Sequence, residues 1–452
     1  MSADEPTTPT PDPACFGDQE FEDALEPVHL IRRSAVVLRA GVLMLGAGTS
    51  SLRVRQLMRT VARAVGLDEM QAQITFSDIA LTVSRRGIFR TQVGEIASPG
   101  VNAHRIAMLH DLNSTLADQV TATEIDDVLD RIEHTTRLYP EWLVTVWVAV
   151  ACASVAVLTG GSWREVVAVL PASAVSFLVY RFLGRRQVNL LPTVLVASAI
   201  ATGGFTLVAA LLTAVLGTPS PRLAAGFICA AIYLVPGFPL VTGGLDLTRI
   251  DLNAGLPRVT YAAMVMLSIT IGVWIVSGLA GISPVPVPAL NGPPALVWLA
   301  LVAASFLAVA GWATMFNSPW PMALASGVVA VIANVPRLLL LQHGVSNHIA
   351  TFVGCVIIGL ACHLAGVWFK MTKIIMTVPT MLVMIPGSSA LRTLIYFDQA
   401  DVVQAMRNAI ATVLAVIAMV AGLSAARMLT DPEWAFTRPD PPHLGLRALR
   451  RP

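Results

Sequence analysis

The residues that could carry a proton through this chain are few, because its hydrophobic part contains almost no acids. Residues 142–429 hold only five of the 28 Asp and Glu residues. Of these five, Asp246 closely follows a predicted helix break, and a carboxylate in a partly dry site can take up a proton. His363 lies in the middle of an apolar run and titrates near neutral pH. We therefore expect Asp246 and His363 to couple proton movement. The alternative for Asp246 is an ion pair with Arg249 or Arg258.

Two Pro-Gly pairs predict breaks in membrane helices. Pro236-Gly237 and Pro386-Gly387 lie 150 residues apart. Proline removes a helical hydrogen bond and glycine frees the backbone, so a helix tends to break at such a pair. The freed amides and carbonyls can bind the carboxylate and the ammonium group of a small ligand. We expect all four residues to contact substrate, and the alternative is that they form structural kinks or helix ends.

Three further polar residues lie in apolar surroundings. Asn334 and Arg337 interrupt the seventh apolar segment, and Arg392 follows the second Pro-Gly pair. An arginine that faces a cavity can hold a carboxylate with two hydrogen bonds. We expect these residues to bind substrate, and the alternative for each is helix–helix hydrogen bonding or snorkelling. Of the remaining acids, Glu165 lies beside Arg164 at a predicted outer helix end.

Metal, cofactor and enzyme chemistry have little support in the sequence. The five cysteines form no CxxC pair, and no P-loop, nucleophile elbow or HExxH motif occurs. The polar candidates near the N-terminus are typical of a solvated surface; they are Asp78, Glu95, His104, His110 and Asp111. We therefore expect no metal, no cofactor and no enzymatic activity. A catalytic N-terminal domain is the remaining alternative.

The helices that position these residues are predicted to lie in a membrane. Of the 452 residues, 55% are hydrophobic and 13% are charged, whereas soluble proteins are about 25% charged. We therefore predict an α-helical membrane protein with a soluble, acidic head. The predicted domains are a disordered acidic, Pro-rich tail at 1–30, a cytosolic α/β domain at 31–140, five-helix membrane repeats at 141–283 and 295–429, and a cytosolic tail at 430–452.

The head has the periodicity of a small α/β domain. Helical spacing runs over Ser34–Leu67, with an interruption near its middle. Gln73–Ser84 and Phe89–Ile96 contain β-branched residues and are separated by a short turn, which predicts a β-hairpin. A helix over Asn102–Asp118 is followed by a second one, which begins with a capping box at Thr121.

Ten apolar segments are long enough to cross a bilayer, which takes about 20 residues. They run over Trp142–Leu158, Glu165–Leu183, Leu190–Leu216, Leu223–Gly244, Val259–Gly281, Ala295–Met315, Pro321–Leu341, Ser346–Phe369, Ile374–Ile395 and Val402–Met428. Lys and Arg residues concentrate in the even-numbered loops and in the C-terminal tail. The positive-inside rule places these segments in the cytoplasm, so we expect both termini there.

The two halves of the membrane region share motifs at nearly constant spacing. Trp163 in GGSW corresponds to Trp320 in NSPW, 157 residues later, and the Pro-Gly pairs are 150 residues apart. Because five spans is an odd number, the second half must enter the membrane from the opposite side. We predict two inverted five-helix repeats, an arrangement of secondary transporters that bind substrate near the midplane. A chance match of two loose motifs is the alternative.

The order of these motifs resembles that of the threonine/serine exporter family, ThrE-like proteins of bacterial plasma membranes. The matching stretches are Gly41–Leu67, Gly100–Asn113, Thr159–Trp163, Pro236–Leu247, Gly255–Arg258 and the IPG motif at Ile385–Gly387. The resemblance implies a multi-pass exporter of the bacterial plasma (inner) membrane. It also implies export of threonine and serine by proton antiport with alternating access. The SSALR sequence after the second Pro-Gly pair departs from the less charged continuation expected there.

The resemblance leaves the substrate open. Relatives that resemble the two halves as separate subunits are associated with succinate, so export of a small dicarboxylate is the alternative. Arg337 and Arg392, both facing the cavity, would favour that dicarboxylate. The expected partners are a small-molecule substrate, protons and membrane lipid. We expect no nucleic acid partner and allow for a homo-oligomer.

Overall fold

A head of four helices and one sheet lies against a body of long apolar helices. The computed structural model describes residues 18–96, 100–117, 119–282, 287, 290, 292–369, 373–385 and 387–431. The elements of the head are α1 Asp18–Gly46, α2 Ser51–Ala64, β1 Glu69–Ile74, β2 Asp78–Arg85, β3 Ile88–Glu95, α3 Ala103–Thr115 and α4 Ala122–Glu133.

Alternating burial orients the sheet of the head. Its strands are antiparallel in the order β1-β2-β3. On β2, Ile79, Leu81 and Val83 are buried in the same apolar core as α1 and α2, while the residues between them are partly exposed. Arg86 and Gly87 both have positive φ, as a two-residue hairpin turn requires. The predicted hairpin is therefore confirmed, and β1 adds a third strand to it.

The first helix begins before the predicted end of the N-terminal tail. Residues 18–30 form the first turns of α1, and Leu30 is buried in the core of the head. The helix thus includes residues 18–30 of the predicted tail, and the disordered tail stays a prediction for the rest. Residues 1–17, and residues 432–452 of the predicted C-terminal tail, lie outside the described residues.

Helix α4 is fixed at its start and along its side. The predicted capping box is confirmed, since Thr121 and Glu124 bind each other's backbone amides. Arg39 of α1 donates to three carboxylates of α4, those of Asp126, Asp130 and Glu133. The bond to Glu133 contributes most to holding the pKa of Arg39 above its ordinary value. These contacts join the first and last helices of the head.

The body contains the remaining helices. They are α5 Glu141–Leu158, α6 Trp163–Arg185, α7 Leu190–Leu216, α8 Leu223–Cys229, α9 Gly237–Leu247, α10 Leu252–Ala280, α11 Pro294–Met315, α12 Trp320–Gln342, α13 Asn347–Phe369, α14 Lys373–Leu382, α15 Gly387–Asp398 and α16 Val402–Thr430. In the part of the chain that the structure describes, eight of them are long and apolar enough to span a membrane, and α8 with α9 makes a ninth as a bent pair. The chain is an α-helical membrane protein, and the tenth span stays a prediction.

The two predicted spans that contain Pro-Gly pairs are each divided into two short helices. The fourth consists of α8, a 3-10 turn at Ile232–Leu234 and α9, with a bend of 69°. The ninth consists of α14 and α15. The seventh, α12, is in contrast a continuous helix through Pro336. Neighbouring helices can compensate a proline inside a membrane helix, so Pro336 alone does not break it.

Backbone details recur at the spacing of the Pro-Gly pairs. α10 and α16 both have 29 residues, and an aspartate side chain caps each of them, Asp251 and Asp401. The residue before each cap has positive φ, 61° at Ile250 and 59° at Ala400. α6 and α12 likewise both have 23 residues. Since residues other than glycine rarely adopt positive φ, its recurrence supports a structural repeat.

Helices α5 and α11 pack antiparallel and close together. The amide of Leu138, just before α5, donates to the side chain of Asn317, just after α11, at 2.9 Å. A Cβ added to Gly311 would lie 2.5 Å from the carbonyl oxygen of Trp147 and 2.8 Å from the Cβ of Ala151. Only glycine permits this approach, so Gly311 sets the distance between the two helices.

We expect Gly311→Ala to lower the melting temperature of the detergent-purified protein, because α5 and α11 must separate to admit the methyl group. Gly278→Ala in α10 is the matched control, since a Cβ there meets no atom within 4 Å. Alanine is favoured over glycine inside a helix by about 0.5–1 kcal/mol, so the control should match or exceed the wild type. Equal melting temperatures for Gly311→Ala and wild type would contradict the close packing.

Candidate functional site

The two helix breaks share a pattern of two backbone hydrogen bonds. We call Val235–Gly237 the first break and Ile385–Gly387 the second break. In each, the glycine amide donates to the carbonyl of the residue two positions earlier, at 2.8 Å. The residue before the proline also donates three positions back in each case, at 3.1 and 3.3 Å. Pro386 lies outside the described residues, so its predicted contact with substrate stays a prediction.

The first break lies against the second. A Cβ added to Gly237 would lie 1.9 Å from Cδ2 of Leu382 and 2.7 Å from Cδ1 of Ile385. A Cβ added to Gly387 would lie 3.7 Å from Cδ1 of Ile232. The Pro-Gly pairs therefore do more than kink two separate helices, because each break packs on residues beside the other.

A narrow cavity lies between the two breaks. Its empty volume is about 340 Å³ with its opening included. The breaks and the residues just before them supply Ile232, Tyr233, Val235, Leu382 and Ile385, and helices α5 and α11 supply Val155, Trp312 and Met315. Binding cavities are typically apolar with a few polar groups, and the Tyr233 hydroxyl, 2.7 Å from Oγ of Ser176, is one such group.

Sequence reasoning missed the walls that α5 and α11 contribute. The sequence predicted the positions of the breaks but not the helices that pack against them. Trp312 is 3% exposed near the end of α11, although tryptophan in a membrane helix usually marks an interface. The available signal was an aromatic residue inside a run of small residues, AVAGWATM.

Arg392 lies near the cavity's supporting helices. It belongs to α15 and is close enough to interact electrostatically with Cys229 of α8. Its Nε is buried and has no hydrogen-bond partner within the described part of the chain. A buried donor without a partner costs free energy, so a group that accepts from Arg392 would stabilise this region. Its predicted role in substrate binding remains consistent with this position.

Asn334 and Arg337 connect helices. Arg337 on α12 donates to Asn334 at 3.1 Å and to Asn347 of α13 at 3.0 Å. Asn334 in turn donates to Ser305 of α11 at 2.9 Å. These contacts are those of the helix–helix alternative, and neither residue lines the cavity between the breaks. Their hydrogen bonds also explain how α12 remains packed around Pro336.

His363 lies beside a lysine. Its Nδ1 is 2.8 Å from Nζ of Lys373, which joins α13 to the start of α14. Because a lysine ammonium can only donate, Nδ1 of His363 is the acceptor in this hydrogen bond. Its predicted part in proton coupling remains a prediction.

Asp246 forms a buried ion pair where the head meets the body. Its Oδ2 is 2.7 Å from Nη1 of Arg258, and the two side chains are 2% and 3% exposed. Arg258 forms this pair, and the amide of Arg249 donates to the Asp246 carbonyl at 3.1 Å. The structural ion pair predicted for Arg258 is thus present. It is also the alternative stated for Asp246, and the geometry favours it.

The head takes part in the same cluster. The Ser51 hydroxyl, at the start of α2, lies 3.1 Å from Oδ1 of Asp246 and 2.8 Å from Oδ2 of Asp251. Arg55 approaches Asp251 at 3.8 Å. The carboxylate of Asp246 thus lies at the N-terminus of a head helix, where the helix dipole favours a negative charge. We call Ser51, Asp246, Asp251 and Arg258 the head–body junction.

A second contact ties the head to the α11–α12 loop. Asn317 donates to Asn102, just before α3, at 3.0 Å. The Tyr139 hydroxyl donates to the carbonyl of Ser318 at 2.5 Å, and burial raises the pKa of Tyr139 to about 12, so it remains a neutral donor. The aromatic rings of Phe238 and Phe316 also meet beside the first break, with centroids 5.8 Å apart.

The polar candidates of the head share no hydrogen-bond partner in the described part of the chain. No side-chain hydrogen bond joins any two of Asp78, Glu95, His104, His110 and Asp111 within the described residues. Asp78 accepts from Thr75 and Ser77 and so stabilises the turn between β1 and β2. Burial lowers the pKa of His104, so the imidazole is neutral at pH 7.

Comparison with known families decides the class of this site. A family model described as "Putative threonine/serine exporter" matches residues 35–280, and one described as "Threonine/Serine exporter, ThrE" matches residues 301–429. The chain belongs to the threonine/serine exporter family. The two matches cover both helix breaks, so the cavity lies within the shared part of this exporter family.

The relatives of this chain include proteins named for two different substrates. A "Probable succinate transporter subunit YjjP" of Klebsiella aerogenes is 29% identical over 52% of this chain and 89% of the relative. A "Probable threonine/serine exporter" of Mycobacterium tuberculosis is 22% identical over 83% of this chain and 72% of the relative. No solved structure gives a significant match.

In this member of the exporter family, we expect the Asp246–Arg258 pair to act as a unit. Arg258→Met leaves a buried carboxylate without its partner and should destabilise the protein by about 3–5 kcal/mol. Asp246→Asn should also destabilise it, and the double variant should cost less than the sum of the two. Unfolding of the detergent-purified variants measures this coupling.

The control is the more exposed pair of Glu141 and Arg185, in which Arg185→Met should cost at most about 1 kcal/mol. Additive effects of Asp246→Asn and Arg258→Met would show that the two side chains do not interact.

Proposed function

We propose that this protein is a secondary exporter that carries threonine and serine across the bacterial plasma membrane by alternating access. The observation that carries the proposal is the pair of matching breaks that face each other across one cavity. Broken helices near the midplane form the binding site in many secondary transporters. Membership of the exporter family supports the same class of function.

Opposite orientation of the two halves is part of the proposal. α5 starts beside the head, so the Thr159–Trp163 step that follows it lies at the end of the body away from the head. The corresponding Asn317–Trp320 step contacts the head through Asn317. Equivalent steps at opposite ends are what two inverted five-helix repeats require. Rocking of one repeat against the other would then open the cavity to either side.

The cavity suits a small zwitterion better than a dicarboxylate. Unwound backbone offers both amides and carbonyls, which match a carboxylate and an ammonium group. Arg392 adds one cationic group close to the first break's helix α8. A dicarboxylate should need two cationic anchors, and Arg337 instead binds Asn334 and Asn347. Succinate remains the second candidate, because two relatives are named as subunits of a succinate transporter.

Orientation and energy source complete the proposal. The head and both termini lie in the cytoplasm, as the Lys and Arg distribution indicates. Export against a gradient then draws on the proton-motive force, with one or more protons moving inward. We propose a membrane lipid environment and no nucleic acid partner, and the oligomeric state is open to a homo-oligomer.

Counterflow in proteoliposomes tests the substrate. Vesicles loaded with unlabelled threonine, serine or succinate are diluted into the same labelled compound. We expect exchange of threonine and serine, because a zwitterion satisfies both kinds of backbone group in the breaks. Vesicles without protein are the control. Exchange of succinate without exchange of either amino acid would replace the proposed substrate by the second candidate.

The contact between the breaks makes Gly237 the more sensitive of the two glycines. Gly237→Ala pushes Leu382 and Ile385 into the cavity, so we expect transport to fall by about tenfold, which corresponds to about 1.4 kcal/mol. Gly387→Ala is the matched control, because its Cβ meets ordinary contact distances. Initial rates at equal protein content measure the effect. Equal rates for the two variants would contradict the proposed position of the cavity.

A further inference from the structure

Glu165 is a buried acid with no assigned role in the proposed transport. It lies in the first turn of α6 and is 1% exposed. Its Oε2 accepts from the amide and the hydroxyl of Ser162, at 2.7 and 2.6 Å. A carboxylate buried in the membrane body is costly, and such residues are usually functional.

Glu165 lacks the cationic partner that Asp246 has. Among the described residues, no ion pair includes Glu165, whereas Glu141 pairs with Arg181 and Arg185, and Asp246 pairs with Arg258. Protonating Asp246 would leave the charge of Arg258 buried and unpaired. Protonating Glu165 leaves no buried cation without its partner. Of the two acids, Glu165 is therefore the better candidate for carrying a proton.

The charged groups around Glu165 are engaged elsewhere. Arg164 of the same helix donates to the carbonyl of Thr218, at 3.0 Å. Arg222, at the start of α8, donates to the carbonyl of Gly160, at 2.6 Å. The neighbouring helices bring two titratable thiols, Cys152 on α5 and Cys229 on α8, and Arg392 of α15 lies near the second of these. Helix α7 presents Thr213 and apolar side chains to the same region.

Glu165 lines a small cavity at the end of the body away from the head. A cavity with an empty volume of about 230 Å³, opening included, lies between α6, α7 and the start of α8. It is lined by Arg164, Glu165, Phe205, Thr213, Ser220 and Leu223, among others. If the head is cytoplasmic, this is the outer end, from which protons enter during export.

Helix α8 connects Glu165 to the candidate substrate cavity. A Cβ added to Gly226 of α8 would lie 3.0 Å from the Cβ of Glu165, so helix and side chain are in contact. The same helix leads, through the 3-10 turn, to the first break. A change of charge at Glu165 therefore acts on the segment that forms one wall of the cavity.

We propose that Glu165 is the residue that takes up the coupling proton from the side of the membrane opposite the head. The proton comes from water in the cavity beside Glu165 and binds the carboxylate while the protein is open to that side. It leaves when the substrate cavity between the two breaks opens towards the head. This rests on the proposed function, because it assigns the coupling group of that exporter. The Asp246–Arg258 pair then remains charged and holds the head to the body.

A purely structural role for Glu165 makes a different prediction from a coupling role. Glutamine also forms a capping box with serine, so Glu165→Gln keeps the helix start and removes only the titration. If Glu165 merely caps α6, Glu165→Gln should behave as wild type.

The experiment measures two kinds of transport by the full-length protein in proteoliposomes. For Glu165→Gln, we expect counterflow without a pH gradient to stay within about twofold of wild type, because the cap is kept. Accumulation driven by a pH gradient should fall to the level without a gradient. Glu165→Asp should restore part of it, and Glu141→Gln, an acid at the other end of α5, should retain all of it. Full gradient-driven accumulation by Glu165→Gln would overturn the proposal.

A second variant keeps the proposal testable if Glu165→Gln does not fold. Ser162→Ala removes one hydrogen bond to the carboxylate of Glu165, so the pH profile of transport should shift if Glu165 carries the coupling proton. An unshifted profile with lowered thermal stability would mean that the pair only caps α6. If wild type exchanges no substrate at all, the proposed function itself fails. If it exchanges substrate without response to a pH gradient, only the proton assignment fails.

Discussion

A backbone that leaves its helix inside a membrane must find partners for its amides and carbonyls, and this constraint governs the protein's centre. The first and second breaks meet it in the same way, each with a short bond from glycine to the residue two positions earlier. The two breaks are also buried against each other, because each packs on apolar residues beside the other. α5 and α11 close the sides, at a distance that Gly311 makes possible. The cavity therefore exists because two broken helices pack against each other.

The pairing also links the halves mechanically. Neither break can move away without uncovering residues next to the other break. A movement that opens one end of the body therefore requires a compensating movement of the other break. An arrangement with two states of similar free energy is what alternating access needs. The junction with the head bears on the same segment, since Asp246 lies in α9, directly after the first break.

Sequence reasoning located the interruptions but not their neighbours. Helix breaks, spans and caps depend on local residue types, so Pro236-Gly237, Thr121 and most spans were predictable. Which charge meets which depends on tertiary packing. Arg249 and Arg258 were equivalent partners for Asp246 in the sequence, and only the fold selects Arg258. Arg337 looked like a carboxylate ligand, yet its fork is occupied by two asparagines. The burial of Glu165 depends on the approach of α8 and carries no local signal.

The apolar core of the head is not made by the head alone. Phe238 of α9 and Ile375 and Val378 of α14 belong to the same buried cluster as the helices and sheet at the N-terminus. During synthesis the head leaves the ribosome first, and these three residues follow only after several spans have been made. The newborn head therefore carries an uncovered apolar surface until the membrane part arrives to complete it. We therefore expect the head to complete its core only when the membrane helices have formed, so that the boundary near residue 140 does not separate two independent folding units.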